Sequence, residues 1–430
     1  MSDMDHKKVI VQWQEFELPE TLPRAKQIAF DPGFITTVTG PRRAGKTWLC
    51  FQAMRKLLDA GVPRSNMLYI NFEDEKLRGA GAEDLESLLA AFFELSEIGK
   101  KHDIYLFLDE IQNVNDWDIW VRRTHDMRRN IRLVVTGSSS KMLSKELSTR
   151  LRGRVLNVEV MPVSFREWLG WKGISYGLKT ISQSDRRFAV KKEFNRYLTT
   201  GGFPAVLTSK QPAEPILQGY FDSMIFKDVV ERNRIKDSRK VKMLAGLLFE
   251  SVAKEISYSR LSDRLSQLGF DLTKKTVIGY MSYFEDAYLF FQNLRYEYSL
   301  MKRLGSVKKL YCIDNGLLNS VSFKFSEDRG RLLENLVFIE LKRMGMEVYY
   351  NRGNNECDFI VKEKDKVTAA IQVTEELGSE NRERELAGLL EAMGKFGLAS
   401  GTIITCDQEE ERIIGGRKVS IIPAWKWLLV

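Results

Sequence analysis

The sequence predicts an α/β protein: a parallel sheet with helices on both faces, then a mostly helical stretch, then a second, smaller α/β region. Three observations carry this. The stretch from Phe34 to Gln52, FITTVTGPRRAGKTWLCFQ, sets a glycine-rich turn between an apolar, β-branched segment and a helical one. The run Ile104 to Leu108, IYLFL, is wholly apolar and ends in Asp109 and Glu110. Strand-like runs then alternate with helical periodicity as far as Val160, the pattern of a parallel sheet with crossover helices.

Composition bounds the rest. A chain of 430 residues with 43% hydrophobic residues can bury two or three cores. Its longest apolar runs are strand-sized, so no membrane span is expected. The N-terminal MSDMDHKKVIVQW lacks a signal-peptide core, and a cytoplasmic location is expected. Cys50, Cys312, Cys357 and Cys406 are scattered without metal-ligand spacing, which points to reduced thiols. With only His6, His102 and His125 present, histidine-based metal or triad chemistry is disfavoured. The net charge of +8 permits a nucleic-acid partner without requiring one.

Residues 1–30 read as a lead-in with no strong pattern, and residues 31–170 as a nucleotide domain. Gly40, Pro41, Arg42, Arg43, Ala44, Gly45, Lys46 and Thr47 complete the phosphate-loop motif G-x-x-x-x-G-K-[ST]. The glycines permit turns that a Cβ would block, so that amides up to Thr47 and Trp48 can converge on phosphate oxygens at a helix N-terminus. Lys46 is expected to reach the β- and γ-phosphates of ATP, and the Thr47 hydroxyl to bind Mg²⁺.

After a turn at Gly61, Pro63 and Asn66, a second strand is expected over Met67 to Phe72 and a helix over Ala82 to Phe93. On the next strand Asp109 is placed to hold Mg²⁺ and Glu110 to polarise the attacking water. A helix over Asn115 to Met127 carries Trp117, Trp120 and Val121 on one face, more suited to a core than to base stacking. The strand Ile131 to Val135 ends in Thr136, Gly137, Ser138 and Ser139. Ser138 or Ser139 could sense the γ-phosphate, the other reading being plain turn chemistry. Arg150, Arg152 and Arg154 precede a last strand, Val155 to Val160. One of the three could reach a γ-phosphate as an arginine finger, in cis or from a neighbouring subunit, with Arg154 the one named for it, against a reading as basic surface.

Together GPRRAGKT, FLDEIQNV, VTGSSS, STRLRGR and MPVSFREW resemble the AAA-type ATPases of archaea and bacteria that are fused to a C-terminal region of unknown function. The likeness continues through Gly201, Gly202, Phe203, Pro204 and YFDSMIFKDVVERNRI to the end of the chain. It implies a P-loop ATPase core, a winged-helix middle and a restriction-endonuclease-like end.

The later residues read compatibly. Residues 171–239 form a helical linker or lid. Over 240–325, helices at 241–255, 258–268 and after Thr273 precede strands Leu289 to Leu294 and Lys308 to Ile313, a winged-helix pattern. If it binds DNA, Lys274, Lys275, Lys302 and Arg303 are the expected contacts; the alternative is a protein-docking use. Over 326–430, the helix from Leu332 with Glu334, the strand with Asp358, and the strand Ala369 to Val373 resemble a PD-(D/E)xK nuclease. Gln372 and Thr374 depart from it, replacing a metal-binding carboxylate and the lysine. The function expected is a Mg²⁺-dependent ATPase acting as a switch on DNA or a partner protein, with oligomer formation open. The alternatives are an ATPase-regulated nuclease and a non-hydrolysing, ATP-bound DNA-binding regulator.

Overall fold

A computed structural model describes residues 3–99, 101–143, 149–177, 186–322 and 328–429. The chain divides into two compact units, Met1–Met161 and Pro162–Val430. The expected boundary between 325 and 326 lies outside the described residues, as does part of the KELSTR stretch.

The first unit is built on strands β1 (Ile35–Thr39), β2 (Met67–Asn71), β3 (Ile104–Asp109), β4 (Ile131–Gly137) and β5 (Val155–Glu159), in the order β2-β3-β4-β1-β5. All pairings are parallel. Helices α2 (Lys46–Asp59), α3 (Ala82–Leu95) and α4 (Trp117–Met127) fall between the strands in sequence. β1 is buried at every position, as a strand covered on both faces must be. A glycine-rich turn after an inner strand of such a sheet is the P-loop NTPase arrangement. Trp120 and Val121 are buried in its core, as expected of that face of α4. The parallel sheet sets the chemistry's location: the turns after β1, β3 and β4 all leave from one edge.

The lead-in is not patternless. Asp3–Glu15 forms helix α1, with Val9, Ile10 and Trp13 buried. Trp13 Nε1 donates to the Met67 carbonyl at 2.7 Å, and His6 Nε2 lies 3.0 Å from Asp84 on α3. Its β-branched VIV hides a helical stripe, so tertiary packing overrides local propensity here.

The second unit begins with α5 (Phe165–Trp171). Its family-like segment VSFREW is a capping box: Ser164 Oγ accepts from the Glu167 amide and Glu167 Oε2 accepts from the Ser164 amide at 2.9 Å. Helices α6 (Arg186–Thr200), α7 (Pro204–Thr208) and α8 (Ala213–Ser223) follow, and α8 runs on as a π-helical stretch over Met224–Glu231. Next come α9 (Ser238–Glu250), β6 (Glu255–Ile256), α10 (Tyr258–Gln267), α11 (Lys274–Asp286), β7 (Phe290–Arg295), α12 (Leu300–Gly305) and β8 (Lys308–Cys312). The helix expected over 241–255 thus ends at Glu250. Ala253 is at φ 58, and β6 then pairs with β8. The segment carrying Lys302 and Arg303, between β7 and β8, is helical.

The remaining elements are α13 (Asn315–Val321), α14 (Arg329–Arg343), β9 (Glu347–Arg352), β10 (Glu356–Glu363), β11 (Lys366–Val373), α15 (Arg382–Phe396), β12 (Ser400–Thr405), β13 (Glu410–Ile414), β14 (Arg417–Pro423) and α16 (Ala424–Trp427). Among the described residues, the nine strands of the unit join one sheet, in the order β13-β14-β12-β11-β10-β9-β7-β8-β6. β7 pairs in parallel with β9, so residues on either side of the 325/326 boundary share a sheet.

Gly201 and Gly202 mark the turn between α6 and α7. Asp314, buried at the start of α13, accepts from the Gly202 amide at 2.7 Å and from the Leu317 amide at 3.0 Å. Gly201 is at φ 70, and a Cβ there would lie 2.0 Å from Asp314 Oδ1. Replacing Gly201 by Ala combines a left-handed backbone with a clash against a buried carboxylate. Denaturant unfolding should show Gly201→Ala destabilised by more than about 2 kcal/mol.

Candidate functional site

The site lies at the edge where β1, β3 and β4 end. Gly40 leaves β1 at φ 147, and a Cβ there would be 2.0 Å from the Val160 carbonyl oxygen, so only glycine fits against the end of β5. The turn bends through Arg43 at φ 67 and Gly45 at φ 99 into α2. No side chain caps α2, which leaves the amides of its first turn directed at a ligand. The Ala44 carbonyl is held away from that end by the buried Arg24, whose guanidinium donates to Ala44 O at 2.8 Å and Met161 O at 2.7 Å. Arg24 lies in the lead-in and was not legible as part of the loop.

A carboxylate held by hydroxyls and an ion pair fill the edge. Asp109 is 1% exposed. Its Oδ2 accepts hydrogen bonds from Thr47 Oγ1 and Tyr69 Oη, both at 2.7 Å, and its Oδ1 accepts one from Thr136 Oγ1. Burial and the neighbouring Glu110 charge push the Asp109 carboxyl above its usual range, and the three hydroxyls oppose that push. Lys46 Nζ lies 3.2 Å from Glu110 Oε1 and 3.3 Å from the carbonyl oxygens of Gly40 and Pro41. Burial pushes the Glu110 carboxyl up, but Lys46, the Gln112 side chain and Arg42 outweigh it and hold it at about 2. Glu110 is at φ 54, and its amide donates to Thr136 Oγ1 at 3.0 Å.

The structure therefore brings Lys46, Thr47, Asp109 and Glu110 together. Arg42 adds its charge there and pairs with Glu73. Trp48 is 47% exposed, edge-on to Phe51. Ser138 and Ser139 are buried just beyond β4. Thr136, near the end of β4, is not among the site residues expected there, yet its hydroxyl donates to the Asp109 carboxylate and accepts from the Glu110 amide. Tyr69 lies within the expected second strand, and its register opposite Phe107 places it beside Asp109.

Arg154 is not at this edge. It immediately precedes β5, where Val155 pairs with Ile35 at the start of β1, the opposite end of the strand from Gly40. It pairs with Asp126 on α4, as Arg152 does at 3.8 Å, while Arg150 lies 3.5 Å from Asp118. The cis form of the arginine-finger expectation is corrected by this parallel register.

In the second unit Lys274 and Lys275 are exposed at the start of α11. Arg303 is committed internally, donating to the Glu297 carbonyl at 2.8 Å and to Tyr349 Oη at 2.9 Å. Glu334 and Asp358 do converge. Between them lies Lys309 of β8, 2.9 Å from each. The Thr374 hydroxyl instead donates to the Glu376 carbonyl at 3.1 Å, and Gln372 Nε2 donates to Glu385 at 2.5 Å. Lys309 was missed because it is far from both acids in sequence; the signal was a lysine inside the apolar run KKLYC.

Lys46 and Glu110 are both buried, so removing one partner leaves the other's charge uncompensated, at a cost of about 3–5 kcal/mol. In wild type, the depressed Glu110 contributes stability above the ordinary value of 4.5, lost as pH falls towards about 2. In Lys46→Ala the leading opposing charge is gone and only the Gln112 side chain and Arg42 still counter burial, so that carboxyl rises from about 2 and the penalty is greatest where it is ionised. The melting-temperature gap between wild type and Lys46→Ala should therefore narrow as pH falls through 4.5.

Among the described residues no helix is long and apolar enough to cross a membrane. A family described as AAA domain matches residues 33–169, and one described as a domain of unknown function (DUF8612) matches 191–328. The Walker-type ATPase PABY2304 of Pyrococcus abyssi is similar in structure at 12% identity and a TM-score of 0.44, covering 74% of this chain and 95% of that one. A Haemophilus influenzae protein described as uncharacterized is 31% identical, over 92% of this chain and 94% of its own. The uncharacterized protein MJ1544 of Methanocaldococcus jannaschii is 35% identical, over 100% of this chain and 97% of its own. With likeness of that degree along the whole length, the chain belongs to the same family as MJ1544, and its residues 33–169 match the AAA domain.

Proposed function

We propose that this protein is a Mg²⁺-dependent AAA-type ATPase whose nucleotide cycle switches its action on DNA or a partner protein. The observation that carries the reading is the pairing of Thr47 with Asp109 beside the pairing of Lys46 with Glu110. Thr47 Oγ1 and the Asp109 carboxylate are hard oxygen donors of the kind Mg²⁺ takes, and the uncapped start of α2 suits an anion. Mg²⁺ bound there would neutralise charge on the phosphates. Lys46 would exchange Glu110 for phosphate oxygens, and the released, ionised Glu110 would orient a water and accept its proton. Asp109 keeps its place through Tyr69 and Thr136. Arg154 could meet a phosphate only on a neighbouring copy.

For the second unit, the order α9-β6-α10-α11-β7-β8, with β8 between β7 and β6, supports a winged helix. The succession α14-β9-β10-β11-α15-β12 supports an endonuclease-like region. Lys274 and Lys275 favour a phosphate contact. The turn between β7 and β8 favours a protein partner instead, since Tyr298, Leu300, Met301 and Leu304 are each more than half exposed.

Steady-state turnover of Mg-ATP should fall by at least about 100-fold in Glu110→Gln while ATP binding persists. Equal turnover in wild type and Lys46→Ala would refute the ATPase reading. Charge reversal at Lys274 and Lys275 should weaken DNA binding and flatten its salt dependence. DNA affinity unchanged by the reversal would leave the protein-partner form of the switch.

A further inference from the structure

The cluster around Lys309 is a second, separate centre, and it is independent of the ATPase reading. Lys309 is 3% exposed in its side chain. Its ammonium lies 2.9 Å from Glu334 Oε1, 2.9 Å from Asp358 Oδ1 and 2.7 Å from Glu356 Oε1. An ammonium has three protons, and three carboxylate oxygens take them. Burial works against the charged amine, and the carboxylates, led by Asp358 and Glu334, more than offset it, so Lys309 stays protonated.

A PD-(D/E)xK nuclease would use Glu334, Asp358 and the position of Gln372 to hold Mg²⁺. The residues present do not fit that ion. The point on which Glu334 and Asp358 converge is taken by Nζ, at ammonium rather than Mg²⁺ distances; Mg²⁺ needs oxygens at about 2.1 Å in octahedral array. The second oxygen of Asp358 accepts from the Val373 amide at 3.0 Å. Gln372 turns its oxygen to the Asp358 amide at 3.3 Å and its nitrogen to Glu385. Tyr311 Oη donates to the same Glu334 oxygen that Lys309 holds, at 2.7 Å. Among the described residues no group of three or more carboxylate, histidine or cysteine side chains is disposed to hold a metal.

We propose that Lys309 is the resident cation of this centre, standing where the endonuclease-like fold would place a divalent metal. The acids then serve as a latch: one side chain from β8 ties α14 and β10 to the strand that follows the winged-helix-like helices. The centre takes no metal and hydrolyses no phosphodiester. Removing the amine converts it into a divalent-cation site, because the buried carboxylates lose their counter-charge and keep their convergence.

Mn²⁺ titration of the nucleotide-free full chain, followed by electron paramagnetic resonance, tests this. Wild type and Asp358→Asn should bind Mn²⁺ alike. Lys309→Met should gain one bound Mn²⁺, lost again in Lys309→Met combined with Asp358→Asn, and Mn²⁺ should raise the melting temperature of Lys309→Met alone. Mn²⁺ bound by wild type but lost in Asp358→Asn would overturn the proposal. So would a folded Lys309→Met that binds no more Mn²⁺ than wild type. If Lys309→Met fails to fold, the wild-type and Asp358→Asn comparison decides by itself: equal binding supports the resident amine, and unequal binding refutes it. Metal-dependent nicking of plasmid by wild type, abolished in Asp358→Asn, would also refute it.

Discussion

A carboxylate that is buried must be fully hydrogen-bonded, and Asp109 makes that requirement structural for the whole first unit. Its three hydroxyl donors come from the start of α2, from β2 and from the end of β4. One anion thereby fixes the depth at which the phosphate-loop helix meets the sheet and the register of the strands on either side of β3. The neighbouring Glu110 is bound differently, to a lysine that also touches the loop's own carbonyls. The two acids are adjacent in sequence, yet one is anchored by neutral donors and the other by a movable charge. That division suits one residue to staying in place and the other to being released.

Much of the first unit could be read from residues alone. Strand positions β1 to β5 follow from short apolar runs, and the loop, Asp109 and Glu110 follow from motif spacing. What escaped were groups whose role arises from register rather than local pattern. Tyr69 looks like core until β2 is paired with β3. Thr136 is one of several hydroxyls in a row, and only the geometry of the strand end picks it out. Arg24 reaches the loop from a segment without periodicity. Arg154 shows the converse: basic spacing near the right strand suggested a role that the parallel direction of β5 denies within one chain.

The second unit was less legible because its defining contacts are long-range. The double glycine at 201 and 202 is a punctuation mark in sequence; in space it is the receptor for the Asp314 carboxylate, more than a hundred residues away. Lys309 and Asp358 are likewise joined only by the sheet. The Thr273 cap at the start of α11, being local, was legible, whereas the end of α9 was not. The continuity of one sheet from β6 to β13 was not, since no local signal announces that β7 will lie beside β9.

The close approach of Gly40 to Val160 has a mechanical meaning. Val160 and Met161 are the last residues of the first unit, and the polypeptide continues from them into the second. Gly40 abuts the first of them, and Arg24 clasps the second together with Ala44. The phosphate loop is thus braced against the chain's own exit. Val160 and Met161 therefore serve the loop twice, as the wall against which Gly40 turns and as an anchor for the guanidinium that holds Ala44.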